Sequence, residues 1–274
     1  MKLNEVYQIA NKLAPVGLSH EYCKNYDAYD NSGILVDTGD EIEGILFSLD
    51  LSQAAIEKAI SLGANLIITH HPAIYGKIGR VCEYDPLGNK LITCIRNGIS
   101  VLSMHLNLDM AEGGVDESLM QGVCLASGKA ESPTPVCMHV VKDKDALGAY
   151  GRAYDIKPCS LAELKAGLEK EFSSKRILCY GDENAEIKRV ASFCGAGIDE
   201  EGISFALDNE GGKADLVLSS DYKHHLIALA LEEGLSVVIL THYASENYGF
   251  KKYYEKIRQQ VKIPCAFHTD EHLL

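Results

Sequence analysis

Tryptophan is absent from the 274 residues, and no apolar run approaches the roughly 20 residues that a membrane-crossing helix needs. The first absence carries no functional information. The second argues against a transmembrane protein, and Met1-Lys-Leu-Asn-Glu reads as the start of an amphipathic helix and not as a signal peptide, so the expectation is a cytoplasmic protein. Positive charge is scarce: 26 Lys and Arg stand against 39 Asp and Glu, a net charge of −13. That balance argues against a nucleic-acid partner held by general phosphate attraction. It leaves room for a small anionic substrate, because bound metals invert the local field. Nine cysteines occur without a Cys-x-x-Cys pair, so a thiolate zinc site is not expected and the thiols are read as reduced and mostly buried.

What is present is ordinary globular composition, 46% hydrophobic and 24% charged, in a chain comfortable for two domains of about 100 to 150 residues. In order, the pattern predicts a helix capped by Asn4 and ended by Pro15, a polar loop to Asn31, and a strand over 44–49. Ser52 then caps a helix that Gly63 stops, and a strand runs to His70. Asp85-Pro86 opens a helix to Gly98, the next strand ends at His105, and Asp116 is expected to cap a helix through Leu125. The stretch 127–135, with Gly128, Ser132, Pro133 and Pro135, is the best boundary, which predicts lobes 1–127 and 128–274. Residues from about 235 onward are expected to pack back on the first lobe and complete its site.

Beyond the boundary, strands are expected over 136–141 and 149–154. Ser160-Leu-Ala-Glu163 forms a capping box before an amphipathic helix. Further strands are expected over 189–193 and 214–219, a helix over 226–233, a strand reaching His242, a long helix opening at Glu246, and a short strand at 264–267. Alternating strands and helices predict an α/β protein of two lobes with largely parallel sheets. Cys194-Gly-Ala-Gly197 reads first as a tight strand-to-helix turn and second as a phosphate cradle.

One pattern recurs three times. Gly63-Ala-Asn-Leu-Ile-Ile-Thr-His70, Gly98-Ile-Ser-Val-Leu-Ser-Met-His105 and Gly234-Leu-Ser-Val-Val-Ile-Leu-Thr-His242 each place a histidine where an apolar strand runs out. Open α/β sheets bind ligands at that edge, so the expectation is three parallel strands delivering histidines to one edge. His71 follows His70 directly; neighbouring strand residues point apart, so the pair serves one site if the backbone turns or if two ions lie side by side. Asp109 and Glu246 stand four residues after His105 and His242, where a first helical turn brings a side chain back. The set His70, His71, His105, Asp109, His242 and Glu246 suits two divalent ions, and nitrogen with oxygen donors favours zinc, iron, manganese or cobalt. His20, His139, His268 and His272 have no such context and are read as structural or surface residues.

Asp30-Asn31-Ser32-Gly33, Ile68-Thr69-His70-His71-Pro72, His105-Leu106-Asn107-Leu108-Asp109 and His242-Tyr243-Ala244-Ser245-Glu246 resemble the signature blocks of the NIF-three-like dinuclear-metal proteins, also known as GTP cyclohydrolase 1 type 2 homologues. Gly195-Ala196-Gly197 and Asp221-Tyr222-Lys223-His224-His225 resemble two further blocks. Tyr29 where the family has tryptophan, Leu106 where it has threonine, and Ser219-Ser220-Asp221 depart from the pattern without touching a proposed ligand. The resemblance implies the NIF-three-like fold, a dinuclear centre in the interlobe cleft and a homohexamer built as a trimer of dimers. It also implies a hydrolase in which metal-activated hydroxide attacks a nucleotide imidazole ring. Rival readings are a metal-dependent phosphoesterase or amidohydrolase, and a non-catalytic metal-binding or regulatory protein. His225 is the expected catalytic proton shuttle, and Asp30 and Asn31 are expected to orient a ligand histidine.

Overall fold

The computed structural model describes residues 1–274. Helices α1 (Leu3–Leu13) and α2 (Val16–Tyr26) lead to β1 (Gly33–Val36), β2 (Ile45–Ser48), α3 (Gln53–Leu62), β3 (Leu66–Thr69), α4 (Pro86–Arg96), β4 (Ser100–Ser103), α5 (Leu106–Met110) and α6 (Val115–Ala126). Then follow β5 (Val136–Asp143), β6 (Ala146–Ser160), α7 (Leu161–Glu171), β7 (Leu178–Tyr180), β8 (Glu186–Ser192), α8 (Glu200–Leu207), β9 (Leu216–Ser219), α9 (His224–Glu232), β10 (Ser236–Ile239), α10 (His242–Arg258) and β11 (Cys265–Phe267). No helix is long and apolar enough to cross a membrane. All nine cysteines are free thiols.

Two compact units emerge, and neither is a continuous stretch of chain. The first comprises Met1–Glu112, Val141–Gly148 and Phe250–Thr269; the second comprises Gly113–Val140, Ala149–Gly249 and Asp270–Leu274.

The first unit is built on a five-stranded sheet in the order β1-β4-β3-β2-β11. β4, β3, β2 and β11 are parallel, and β1 adds an antiparallel edge. β2, β3 and β4 are buried at every position, as parallel strands covered on both faces must be. Leu46, Ile67 and Val101 pack with Ile56 and Ala59 of α3 and Cys94 of α4. Phe47 and Phe267 meet Phe250 and Tyr254 of α10 at ring-centroid distances of 5.2 to 6.0 Å. At about 1.5 to 3 kcal/mol for each large side chain removed from water, this two-sided burial outweighs the weak intrinsic preference of four-residue strands. Ser52 caps α3 by accepting from the Ala55 N–H, and Gly63 ends it in the left-handed region.

The second unit holds a six-stranded sheet, β5-β6-β8-β9-β10-β7. Its centre β8-β9-β10 is parallel, while β6 and β7 pair antiparallel with β8 and β10. Ser160 and Glu163 form the anticipated capping box of α7.

Several local expectations fail for identifiable reasons. α1 starts from Lys2, not Asn4, because the Glu5 carboxylate accepts from the Lys2 N–H. The expected polar loop to Asn31 contains α2: Pro15 supplies its N-cap and Val16, Leu18 and Ser19 give it a buried face. Asp116 does not cap α6, whose N-cap is Gly114. Instead it is fully buried and ion-paired with Arg152, so tertiary pairing overrides its capping preference. β7 and α8 were not anticipated, and α10 starts at His242, one turn before Glu246.

Candidate metal centre

β3 and β4 lie side by side with Thr69 opposite Ser103, so both strands stop at the same level. Beyond them the backbone bends. The N–H groups of His70 and His71 both donate to the Leu49 carbonyl, at 3.1 and 3.0 Å, and the Thr69 hydroxyl donates to the His71 carbonyl at 2.8 Å. This turn resolves the problem of adjacent strand residues facing opposite ways. The rings of His70 and His71 stand 5.1 Å apart, and that of His105 lies 5.3 and 5.8 Å from them. One ring nitrogen from each of the three falls within 4.8 Å of the others.

Each ring is held through Nδ1 by an acceptor. His70 donates to the Met104 carbonyl at 2.8 Å, His71 to Asp50 Oδ1 at 2.7 Å, and His105 to Asp30 Oδ1 at 2.7 Å. With Nδ1 as the donor, a neutral imidazole presents its lone pair at Nε2. A ligating histidine is oriented in this way, so the donor set fits a divalent ion with nitrogen and oxygen preference. Asp30 Oδ2 also accepts from Ser19 at 2.5 Å and Ser32 at 2.6 Å. Burial alone would raise the Asp30 pKa, but the His105 hydrogen bond and charge together with the two hydroxyls hold it well below the usual carboxylate range. Asp109 is buried in the first turn of α5, where its N–H bonds the His105 carbonyl, and its Oδ1 stands 3.4 Å from His70 Nε2.

In the second unit, His242 and Glu246 occupy the first turn of α10, and Nε2 of one meets Oε2 of the other at 3.0 Å. Asp221 Oδ2 accepts from His242 Nδ1 at 2.7 Å. Burial pushes the imidazole toward neutrality, but Glu246 and then Asp221 outweigh it and raise its pKa to about 9. The expectation that all three histidine strands share one sheet edge is corrected here: β3 and β4 belong to the first sheet, whereas β10, which precedes His242, belongs to the second. A glycine, an apolar strand and a histidine read alike whichever sheet the strand joins.

Cys194-Gly-Ala-Gly197 is the tight turn of the first reading. The Gly195 N–H donates to Ser245 Oγ and the Gly197 N–H to the Cys194 carbonyl, so these donors serve the fold and not a phosphate. Gly195 has φ +55, and a Cβ there would overlap Glu246 Oε1. His225 lies in the first turn of α9, with a side chain 58% exposed and Nε2 3.1 Å from Glu200 Oε1. It stands four residues beyond Asp221. Asn31 orients no histidine; its amide donates to the Ile74 carbonyl at 2.6 Å. The orienting role of Asp50 was not anticipated. Its signal is positional: Ser48 pairs with Thr69, so Asp50 stands level with His71 at the end of a neighbouring parallel strand.

The Duf34/NIF3 (NGG1p interacting factor 3) family model matches residues 1–271. The chain belongs to this family. Among its curated relatives, a Clostridium perfringens protein called GTP cyclohydrolase 1 type 2 homolog is 30% identical over 97% of this chain and 95% of its own. A Methanocaldococcus jannaschii protein of the same name is also 30% identical, over 96% of this chain and 97% of its own. Among solved structures, reduced HcgD from Methanocaldococcus jannaschii aligns with a TM-score of 0.75 and 27% identity over 97% of both chains. The solved structure of protein ybgI gives a TM-score of 0.78 at 21% identity over both full lengths, a likeness of fold.

Proposed function

We propose that His70, His71, His105, Asp109, His242 and Glu246 together hold two divalent ions, and that this NIF3-family protein is a metal-dependent hydrolase of small, nucleotide-like anions. The observation that carries the reading is the orientation of the four histidines, each bonded through Nδ1 to a carbonyl or carboxylate, as a ligating histidine is. Bound divalent ions supply Lewis acidity and lower the pKa of a coordinated water toward neutrality. The six side chains would hold the ions, with Asp109, close in sequence to His105, supplying a carboxylate oxygen. The names of the relatives favour attack on the imidazole ring of a purine nucleotide. His225 is proposed as the proton shuttle, oriented by Glu200. A cytoplasmic homohexamer, a trimer of dimers of the 29.9 kDa chain, completes the proposal.

Elemental analysis after reconstitution with zinc, iron, manganese or cobalt is expected to give two ions per chain. Asp109→Asn should lower this to one or none. Screened against GTP, other nucleotides, phosphoesters and cyclic amides, the loaded protein should turn over a nucleotide, and His225→Ala should keep the ions while losing turnover. A single ion in the reconstituted wild type would overturn the dinuclear reading. Retained turnover in His225→Ala would remove the shuttle.

A further inference from the structure

Tyr75 stands beside His105 of the three-histidine cluster and Tyr29 stands against Tyr75, with 52% and 54% of their surface exposed. They are nevertheless fixed. The rings meet edge to face at 5.3 Å and 86°, the Tyr75 hydroxyl donates to the Tyr29 carbonyl at 3.1 Å, and the Tyr75 ring packs on His105 at 6.2 Å and 88°. The backbone around them is tied down as well, since the Asn31 amide donates to the Ile74 carbonyl and Asp30 holds His105. Three consecutive residues therefore each fix one part: Tyr29 the ring pair, Asp30 the histidine, Asn31 the loop that carries Tyr75.

Aromatic rings stack favourably on flat partners, and two half-exposed rings held edge to face offer a rigid surface for one. Rings locked in place before a ligand arrives have no ordering entropy left to lose on binding. We propose that Tyr75 and Tyr29 form an aromatic wall against which the planar heteroaromatic ring of the ligand stacks while its anionic part meets the metal-holding histidines. The proposal rests on the hydrolase reading and specifies the substrate as a nucleotide-class molecule, recognised by ring and by charge. Stacking is indifferent to the identity of the base, so the wall selects for a flat ring and not for guanine.

The test uses full-length protein loaded with manganese and calorimetry with three probes: inorganic phosphate, ribose 5-phosphate and guanosine 5′-monophosphate. The nucleotide should bind more tightly than ribose 5-phosphate by roughly 5- to 150-fold, the range that stacking of one base provides. Tyr75→Ala should remove most of that ratio while leaving phosphate affinity and metal content unchanged, and Tyr75→Phe should keep the ratio. Metal-dependent phosphate binding with a nucleotide ratio near one, or a ratio unaltered in both Tyr75→Ala and Tyr29→Ala, overturns the wall and leaves the metal-site reading intact. Loss of metal in Tyr75→Ala also overturns it, assigning that ring to the support of His105. If no probe binds in a metal-dependent way, the hydrolase reading itself fails and the wall with it.

Discussion

Asp30 and Asp50 each accept a hydrogen bond from a proposed ligand ring, His105 and His71, and fix its tautomer and rotation. Removing such a partner costs about 10- to 100-fold in metal affinity, so Asp30→Asn and Asp50→Asn should bind manganese that much more weakly by calorimetry. Both variants should retain the fold. The Asp30 carboxyl also shapes acid stability. Its folded pKa lies below the ordinary value of 3.8, so its contribution is present above that pH and is lost as pH falls through the folded value. In metal-free protein, Asp30→Asn should therefore flatten the acid limb of a plot of Tm against pH. His242 behaves oppositely: with a folded pKa of about 9 against 6.5, its contribution is complete below pH 6.5 and fades between 6.5 and 9. Ligation requires the neutral ring, so metal uptake at pH 7 should release a proton from His242. Calorimetry in buffers of different ionisation enthalpy reads that proton, and His242→Gln should abolish its release.

At the scale of elements, the turn after β8 and the first turn of α10 hold each other in place. Asp116 accepts from the Cys194 and Gly151 N–H groups at 3.1 Å each and pairs with Arg152. Tyr150 donates to the Cys194 carbonyl at 2.6 Å. Breaking a buried pair strands a charge, so Asp116→Ala should lose about 3 to 5 kcal/mol in urea unfolding. Gly195 and Gly63 offer a controlled comparison. Both have positive φ, but a Cβ at Gly63 meets nothing within 4 Å, whereas one at Gly195 would overlap Glu246. Gly63→Ala should cost about 1 kcal/mol of backbone strain with metal content unchanged. Gly195→Ala should cost more and also lower metal content, because the carboxylate must move.

Over the whole molecule, charge bears on which ligands the proposed site would admit. On the proposed reading, divalent ions would bring positive charge into a chain of net charge −13, so anion binding should depend on the ions. A small anion should reach such a site, while a polyanion meets the acidic exterior. Phosphate or GTP should bind the metal-loaded protein and not the chelated one, and DNA should bind neither form, by calorimetry at about 0.15 M salt. If chelation dissociates a hexamer while no anion binds in a metal-dependent way, a structural role for the ions replaces the hydrolase.

Local chemistry was decided within a few residues of chain, and it was legible there. Ser52 with Gly63, Asp85 with Pro86, and Ser160 with Glu163 delimit helices through contacts spanning three or four positions or one residue's own φ. The spacing of His105 with Asp109 and of His242 with Glu246 follows from the same helical turn. The family blocks were legible as residue identities at fixed spacing. Tertiary structure alone decided which acceptor meets which ring. Asp30 reaches His105 across 75 residues and Asp50 reaches His71 across 21, distances over which no local propensity acts. It also recruited Asp116 from a cap to an ion pair 36 residues away, made a helix of the polar stretch after Pro15, and assigned the His242 strand to the second sheet. The physical reason is common to all of these. A strand, a carboxylate or a polar helix face carries the same local signal in any setting, and only packing selects the partner it buries against.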